Sequence, residues 1–527
     1  MTNPLRKEVT SAINSFVVRH ARRVNWPALL FCCSPLLVFL LIICVLKVNP
    51  FRWVPLWSDE VGWYVQVSSA VKFGAPLGYT GYNETHAAVG TFGPWGAFLV
   101  CGMAVFGKIF GWHNYSPLLM NVAYWMLANL AFFLFTRPKA ATLIKLAVLN
   151  FILFLSVQYM FTGMSECTRF SMAIVLAGLF YYLLQDENKG RRGYLIVLGA
   201  IAPILLFLFI NAYILFAFLL PFYGYVWFKY LKPGRCRALV FLSFVALLPI
   251  LFFLVCYFIQ VKTTAPFPQS AAGACLNQPN LAAFFKALKA TVRANLRTAD
   301  FSFIFRNPLL EYGCVSSYLF FYYCLAIVVW VRLVATLVVS RRLHLLVFLI
   351  ASALSVFVIA FLALYSTRSS WTYIRGLNVA FVFSMYLVCM LDWPKSHLAL
   401  FGLMFMQFFP FATVIKGDMA LRYSERSFYG GGYAFLKGYS AVFSDKLVPV
   451  QSTDPWDNTV ACYGRPTNHG CAFPAGISWN YIMDGHAVSK PRYIVTGSNS
   501  KQVFKGYRRT YIDDQICIFE KVGEGVK

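Results

Sequence analysis

Residues 27–46 read Pro-Ala-Leu-Leu-Phe-Cys-Cys-Ser-Pro-Leu-Leu-Val-Phe-Leu-Leu-Ile-Ile-Cys-Val-Leu, with no charge among them. A run of this length matches the roughly 20 residues an α-helix needs to cross a hydrocarbon core about 30 Å thick. Further apolar runs fall at about 117–135, 142–160, 170–184, 194–210, 212–228, 238–259, 318–339, 344–364, 373–391 and 397–415, which with the first make eleven. The whole chain agrees: of 527 residues 59% are hydrophobic and 13% charged, and the mean hydropathy is +0.63. No soluble core hides that share of apolar residues, so the expected fold class is a polytopic α-helical membrane protein of about eleven spans. No small-x-small cleavage site follows the first run, which is therefore expected to stay as an anchor.

The formal net charge is +26, yet most bases sit between apolar runs, where topology explains them and nucleic-acid binding is not needed. Arg6, Lys7, Arg19, Arg22 and Arg23 precede the first span and place the tail 1–26 in the cytoplasm. The cluster Arg137, Lys139 and Lys145 then also falls inside, provided that 94–110 is an interfacial or re-entrant helix rather than a span. With that choice the remaining clusters, at 189–192, 229–237, 341–342 and Lys395, fall inside as well. The expected external parts are 48–116, 161–169, 260–317, 365–372 and a tail 416–527, attached to a transmembrane domain 27–415. Alternating stretches in that tail, 492–496 and 510–519, read as strands of a small external α+β domain. The expected location is the cytoplasmic (inner) membrane, with the tail on the periplasmic or extracellular side. Fourteen cysteines show no metal-ligand spacing; Cys275 with Cys314 and Cys462 with Cys471 can be disulfides if their segments face an oxidising compartment.

Polar chemistry must be sought in the external parts. Trp57-Ser58-Asp59-Glu60 lies some ten residues beyond the first span. Two adjacent carboxylates at a membrane surface suit general-base work, because partial desolvation raises a carboxyl pKa toward the operating pH. The same letters suit a helix start, with Ser58 as cap and the acids complementing the dipole. Position alone leaves both readings open.

Beyond that motif come, in order, Tyr64, a helix-like stretch to Phe73, a loop with Glu84 and His86, Phe92-Gly93-Pro94-Trp95, and a short apolar helix ending near Gly107 and Gly111. This order resembles the first external loop of the GT-C glycosyltransferases, multi-span enzymes that use polyprenyl-phosphate sugars and include aminoarabinose transferases of lipid A and protein O-mannosyltransferases. Gly93-Pro94 stands where that family has Pro-Pro. The second external loop, with Glu166 and Arg169, extends the likeness, which is best over the first 185 residues.

The resemblance implies a GT-C-like fold with juxtamembrane helices and a reaction in which an acceptor hydroxyl loses its proton while attacking an anomeric carbon. Asp59 would be the base, and Glu60 and Glu166 would orient sugar or acceptor or hold a divalent metal, a cofactor that some relatives use. A lipid-phosphate leaving group calls for cations at the membrane surface, for which Arg368, Arg375, Arg169 and Lys262 are the candidates. Snorkelling explains Arg375 equally, and a local pair with Glu166 explains Arg169. Tyr64, Glu84 and His86 are expected to line the substrate side. Residues 281–297 place Lys286, Lys289, Arg293 and Arg297 opposite Leu281, Phe284, Leu288 and Val292, as in an amphipathic helix on membrane lipid, with or without a part in holding the carrier. Asn121, Asn129 and Asn211 read as interhelical hydrogen-bond donors.

The expected partners are thus a polyprenyl-phosphate-linked sugar donor, a glycan or glycolipid acceptor such as an O-antigen side chain of lipopolysaccharide, and membrane lipid. A flippase for a lipid-linked sugar is a rival, but no duplicated halves are evident. An O-antigen polymerase or ligase is another, and would depend on loop arginines and a histidine rather than on Asp59. Membrane scaffolding is the third.

Overall fold

The computed structural model describes residues 25–47, 49–53, 97–113, 115–188, 192–230 and 370–390, isolated residues and pairs between 60 and 74, pieces of 280–293, 324–339 and 398–416, and five strands with their neighbours between 448 and 522. The runs at 238–259 and 344–364 and both candidate disulfides lie outside the described residues.

Among the described residues four helices are long and apolar enough to cross a membrane, five if one bent pair counts as a span. The protein is a polytopic α-helical membrane protein. Helix α1, Trp26–Leu46, starts where the Asn25 side chain accepts from the Ala28 amide at 3.2 Å, with a proline in the first turn. It buries Phe31, Val38, Phe39 and Ile42 and leaves Leu29, Leu30, Leu37 and Leu40 exposed, the lipid-facing side of a membrane helix. Helix α2, Ala97–Phe110, has 14 residues, about 21 Å of helix, and is too short to span. Its Gly102 carbonyl accepts from the Tyr124 hydroxyl of α3, Ser116–Thr136.

The run at 142–160 is not one straight helix. Helices α4, Ala140–Ile152, and α5, Phe154–Met160, meet at Leu153 with a bend of 66°. All seven residues of α5 are buried, so it turns into the bundle and has no lipid-facing side. Helix α6, Glu166–Leu184, begins four residues before the run at 170–184, which places Glu166 and Arg169 in its first turn rather than in a loop. The α3 and α6 backbones approach closely at Gly178, where an added Cβ would lie 2.9 Å from Phe132 Cα.

The run at 194–210 is helical from α7, Arg192–Ile196, through a π-helical turn, Val197–Ile201, into α8, Ala202–Ala212. Pro203 has no amide to donate to the Gly199 carbonyl, and the wider turn just before it absorbs that lost bond. An extended Tyr213 ends α8, and a 3-10 segment, Ile214–Leu219, leads into α9, Leu220–Tyr230. Helix α10, Ser370–Cys389, packs on α6 and α4.

Deep in the bundle α1, α3, α4 and α10 share one buried network. The Tyr386 hydroxyl lies 2.7 Å from Asn129 Oδ1 and 2.6 Å from Asn150 Oδ1, and Trp125 Nε1 approaches it at 3.5 Å. Asn129 Nδ2 donates to the Phe31 carbonyl at 3.0 Å, Asn150 Nδ2 to Ser34 Oγ at 2.6 Å, and Ser34 Oγ in turn to Phe31 O. The interhelical role expected of Asn129 is met. The bond Asn211 makes to Phe207 O, by contrast, runs one turn back within α8.

Within 280–293 the described residues are helical, and the Ala283 amide donates to Asn280 Oδ1 at 2.8 Å, an N-terminal cap. In the tail, strands β1 (Val448–Ser452), β2 (Ile477–Tyr481), β3 (Tyr493–Gly497), β4 (Tyr507–Ile512) and β5 (Ile516–Lys521) form a sheet in the order β2-β1-β3-β5-β4. Strand β1 is parallel to β2 and β3, while β5 is antiparallel to β3 and β4. Phe519 is buried against Phe504 and Tyr507.

Replacing Tyr386 by Phe removes the hydroxyl that two buried asparagine oxygens and one indole share. Tyr386→Phe is expected to lower stability by about 1–3 kcal/mol, read as a fall in the thermal midpoint of the detergent-purified protein; an unchanged midpoint would show that the network carries no stability.

Candidate functional site

One end of the bundle brings together the segment after α1, the start of α3, the end of α5 and the start of α6. Arg137 and Lys139 lie at the other end, beyond the last turn of α3 and before α4. The turn 161–165 joins α5 to α6 and is held from three directions. Trp53, fully buried, donates its indole N–H to the Phe161 carbonyl at 2.9 Å. The Asn121 amide of α3 reaches the carbonyls of Tyr159 (3.3 Å), Met160 (3.2 Å) and Thr162 (2.8 Å). It thereby ties the end of α5 and the turn to α3, adding to the bonds that the Tyr159 carbonyl already accepts from the Thr162 amide and hydroxyl. The Gly163 amide donates to Glu60 Oε1 at 3.0 Å.

That last bond links residues 103 apart in sequence and joins the acidic motif after α1 to the turn before α6. Glu60 has no exposed surface. Glycine at 163 fits a crowded place: a Cβ there would come 3.0 Å from the Trp53 ring, which would have to give way by a few tenths of an ångström. Phe161 stacks on Phe39 of α1, with ring centroids 5.2 Å apart.

Helix α6 comes directly after the turn. Glu166, in its first turn, complements the positive end of the helix dipole. Arg169 Nη1 lies 3.5 Å from Glu166 Oε1, and its guanidinium carbon sits 4.3 Å from the centroid of the Tyr213 ring, so one cation is held between a carboxylate and an aromatic face. Both side chains are buried. The local Glu166–Arg169 pair expected from their spacing is therefore real, and Tyr213, from the break between α8 and the 3-10 segment, is a partner the sequence did not single out.

Tyr64 is buried with its ring 5.7 Å from that of Trp112, and ties the 60–71 segment to the chain leaving α2. Arg375 lies in the second turn of α10, not in the loop 365–372. Three residues on, Asn378 Nδ2 approaches Ser156 Oγ of α5 at 3.4 Å. Asp59, Glu84, His86, Lys262 and Arg368 lie outside the described residues. Among the described residues no three His, Cys, Asp or Glu side chains converge as a metal site.

No family model matches the sequence, and no curated protein matches it. Two solved structures are similar: ArnT from Cupriavidus metallidurans bound to undecaprenyl phosphate, 10% identical, covering 93% of this chain and 99% of that chain at a TM-score of 0.48. The second is ArnT from the same organism in the apo state, at the same identity and coverage and a TM-score of 0.43. Likeness at this level assigns no residue and no substrate to this chain.

The Glu60–Gly163 bond separates charge from acceptor capacity. Glu60→Ala is expected to cost about 1.5–3 kcal/mol, the range for a hydrogen bond to a charged group, while Glu60→Gln, which keeps a carbonyl oxygen for the Gly163 amide, stays nearer the wild-type thermal midpoint. Equal losses in the two variants would show that the charge, not the bond, holds the turn.

Proposed function

We propose that this protein is a GT-C-type glycosyltransferase of a prokaryotic cytoplasmic membrane, moving a sugar from a polyprenyl-phosphate carrier to an envelope glycan or glycolipid on the outer face. O-antigen modification is the leading acceptor class. The observation that carries the reading is the Glu60–Gly163 bond, because it brings the acidic motif after the first span to the Glu166–Arg169 pair at one end of a membrane bundle. That end lies opposite Arg137 and Lys139, and the positive-inside rule makes it the outer end.

The chemistry follows from the residue types. As the acceptor oxygen attacks the anomeric carbon, its proton passes to the Asp59 carboxylate. The bond from that carbon to the phosphate oxygen breaks, and the lipid phosphate leaves with the electron pair. Glu60 is a positioning residue: its carboxylate already accepts the Gly163 amide and fixes the turn that starts α6. Glu166 and Arg169 face the sugar, and Tyr64, Glu84 and His86 complete the substrate side. Arg368, Arg375 and Lys262 are assigned to the leaving phosphate, a task for which guanidinium forks are well shaped. The tail 416–527 is assigned to the same side, where it can hold a long polysaccharide.

The test is release of undecaprenyl phosphate from a panel of undecaprenyl-phosphate-linked hexoses and pentoses by the full chain in nanodiscs, with envelope glycolipid as acceptor. Asp59→Asn is expected to lower turnover about 10²- to 10⁴-fold, the usual contribution of a general base, with an unchanged thermal midpoint. Retained turnover would reject the role of Asp59, and a wild-type protein that moves intact lipid-linked sugar across a bilayer without releasing carrier would favour the flippase.

A further inference from the structure

We infer that Ser165, Thr168 and Arg169, at the start of α6, form the subsite for the sugar ring of the lipid-linked donor; this rests on the proposed function and names a part of that same site. The three positions are spaced i, i+3 and i+4, so they share one face of the helix. All are more than nine-tenths buried, with 1%, 6% and 8% of their surface exposed. Yet Ser165 Oγ, Thr168 Oγ1 and Arg169 Nε have no hydrogen-bond partner among the described residues. Ser165 occupies the N-cap position of α6, where a serine ordinarily accepts an amide of the first turn, and makes no such bond.

Polar atoms are seldom buried in apolar surroundings without a partner, so three on one helix face point to a partner that arrives from outside the chain. Charge says which kind. The described ionisable groups here are Glu60, Glu166 and Arg169, two carboxylates against one guanidinium. Even with about half a unit of positive charge from the α6 dipole, an anion placed against these groups meets a net negative charge and is disfavoured, whereas a neutral polyol is not. The hydrogen-bonding character agrees: each hydroxyl of Ser165 and Thr168 both donates and accepts, and Arg169 keeps donors beyond the one directed at Glu166. Sugar hydroxyls, themselves donors and acceptors, fit that mixture. The Glu166 contact and the Tyr213 ring hold the guanidinium plane in place, so little side-chain freedom is lost when a sugar binds.

The experiment compares affinities of the full chain in nanodiscs for bare undecaprenyl phosphate and for the undecaprenyl-phosphate-linked sugar of the panel that the wild type binds best. Thr168→Val replaces the hydroxyl by a methyl of the same shape, and Ser165→Ala removes it. Each variant is expected to bind the sugar-bearing lipid about three- to tenfold more weakly, the range for one lost hydrogen bond. Bare carrier should bind all variants equally, Thr168→Ser should restore the affinity, and the thermal midpoint of Thr168→Val should not fall. Unchanged affinity for the sugar-bearing lipid with a raised midpoint would overturn the subsite and leave these hydroxyls to internal water. An equal loss for both lipids would make it a phosphate site and also overturn it. Where the wild type releases carrier from a sugar donor and the variants match it, the subsite alone fails; where the wild type distinguishes no sugar-bearing lipid from bare carrier, the proposed function fails with it.

Discussion

Inside a bilayer there is no water to satisfy a backbone amide or carbonyl, so a membrane chain can leave the helix only where other protein groups take over those bonds. This chain leaves it at the end of α5, and side chains answer: the Asn121 amide gathers the carbonyls of Tyr159, Met160 and Thr162, and the Thr162 hydroxyl also donates to Tyr159 O. Trp53 takes the Phe161 carbonyl and Glu60 takes the Gly163 amide. The turn 161–165 is irregular backbone paid for by three residues far away in sequence. Loss of any one leaves a buried polar group without its partner, so neither Trp53 nor Asn121 can give way to a residue that lacks a donor without loss of stability.

The same turn sets the electrostatics. Because α6 starts at Glu166, its dipole directs positive potential toward the segment that carries Glu60. Two carboxylates and one guanidinium then share a region of low dielectric, where each interaction is stronger than in water. Arg169 is additionally confined by the Tyr213 ring, which comes from the break after α8. Three interruptions of regular helix, after α1, between α5 and α6, and after α8, thus converge on one place. Helices supply the scaffold and their breaks supply the chemistry.

Much of the helical scaffold could be read from hydropathy, since a charge-free run of about 20 residues has few alternatives to a span. The short helix α2 was legible for the same reason, its length being insufficient to cross. The bend at Leu153 was not legible: 142–160 is uniformly apolar, and periodicity in such a run cannot separate one straight helix from two buried pieces. For the site, Glu60, Glu166, Arg169 and Tyr64 were visible as rare polar or aromatic residues in expected loops, and the Glu166–Arg169 spacing announced their pairing. Trp53, Gly163 and Tyr213 were not, because a buried indole donor, a glycine crowded by a neighbouring ring and a cation–π partner are defined by contacts across more than 40 residues of sequence. Strand β3 coincides with the alternating stretch 492–496, whereas 510–519 straddles the end of β4 and the start of β5, and the parallel pairing of β1 with β2 and β3 is a long-range choice that alternation leaves open.

The bundle contains two buried polar layers, and the contrast between them argues for function at one end. Around Tyr386, about 13 residues into α3, Asn129, Asn150, Ser34 and Trp125 all find partners, and the layer closes on itself. Around the start of α6, in equally buried surroundings, Ser165 Oγ, Thr168 Oγ1, Arg169 Nε and Asn121 Oδ1 stay open among the described residues. If closure were merely hard to achieve with this chain, the Tyr386 layer would show the same gaps. A closed layer adds to specific helix packing, whereas an open one is a standing energetic cost that only an incoming partner can offset. The open layer sits where the acids gather and the closed one where the helices cross, which is the distribution expected when one region holds the bundle together and the other receives a polar substrate.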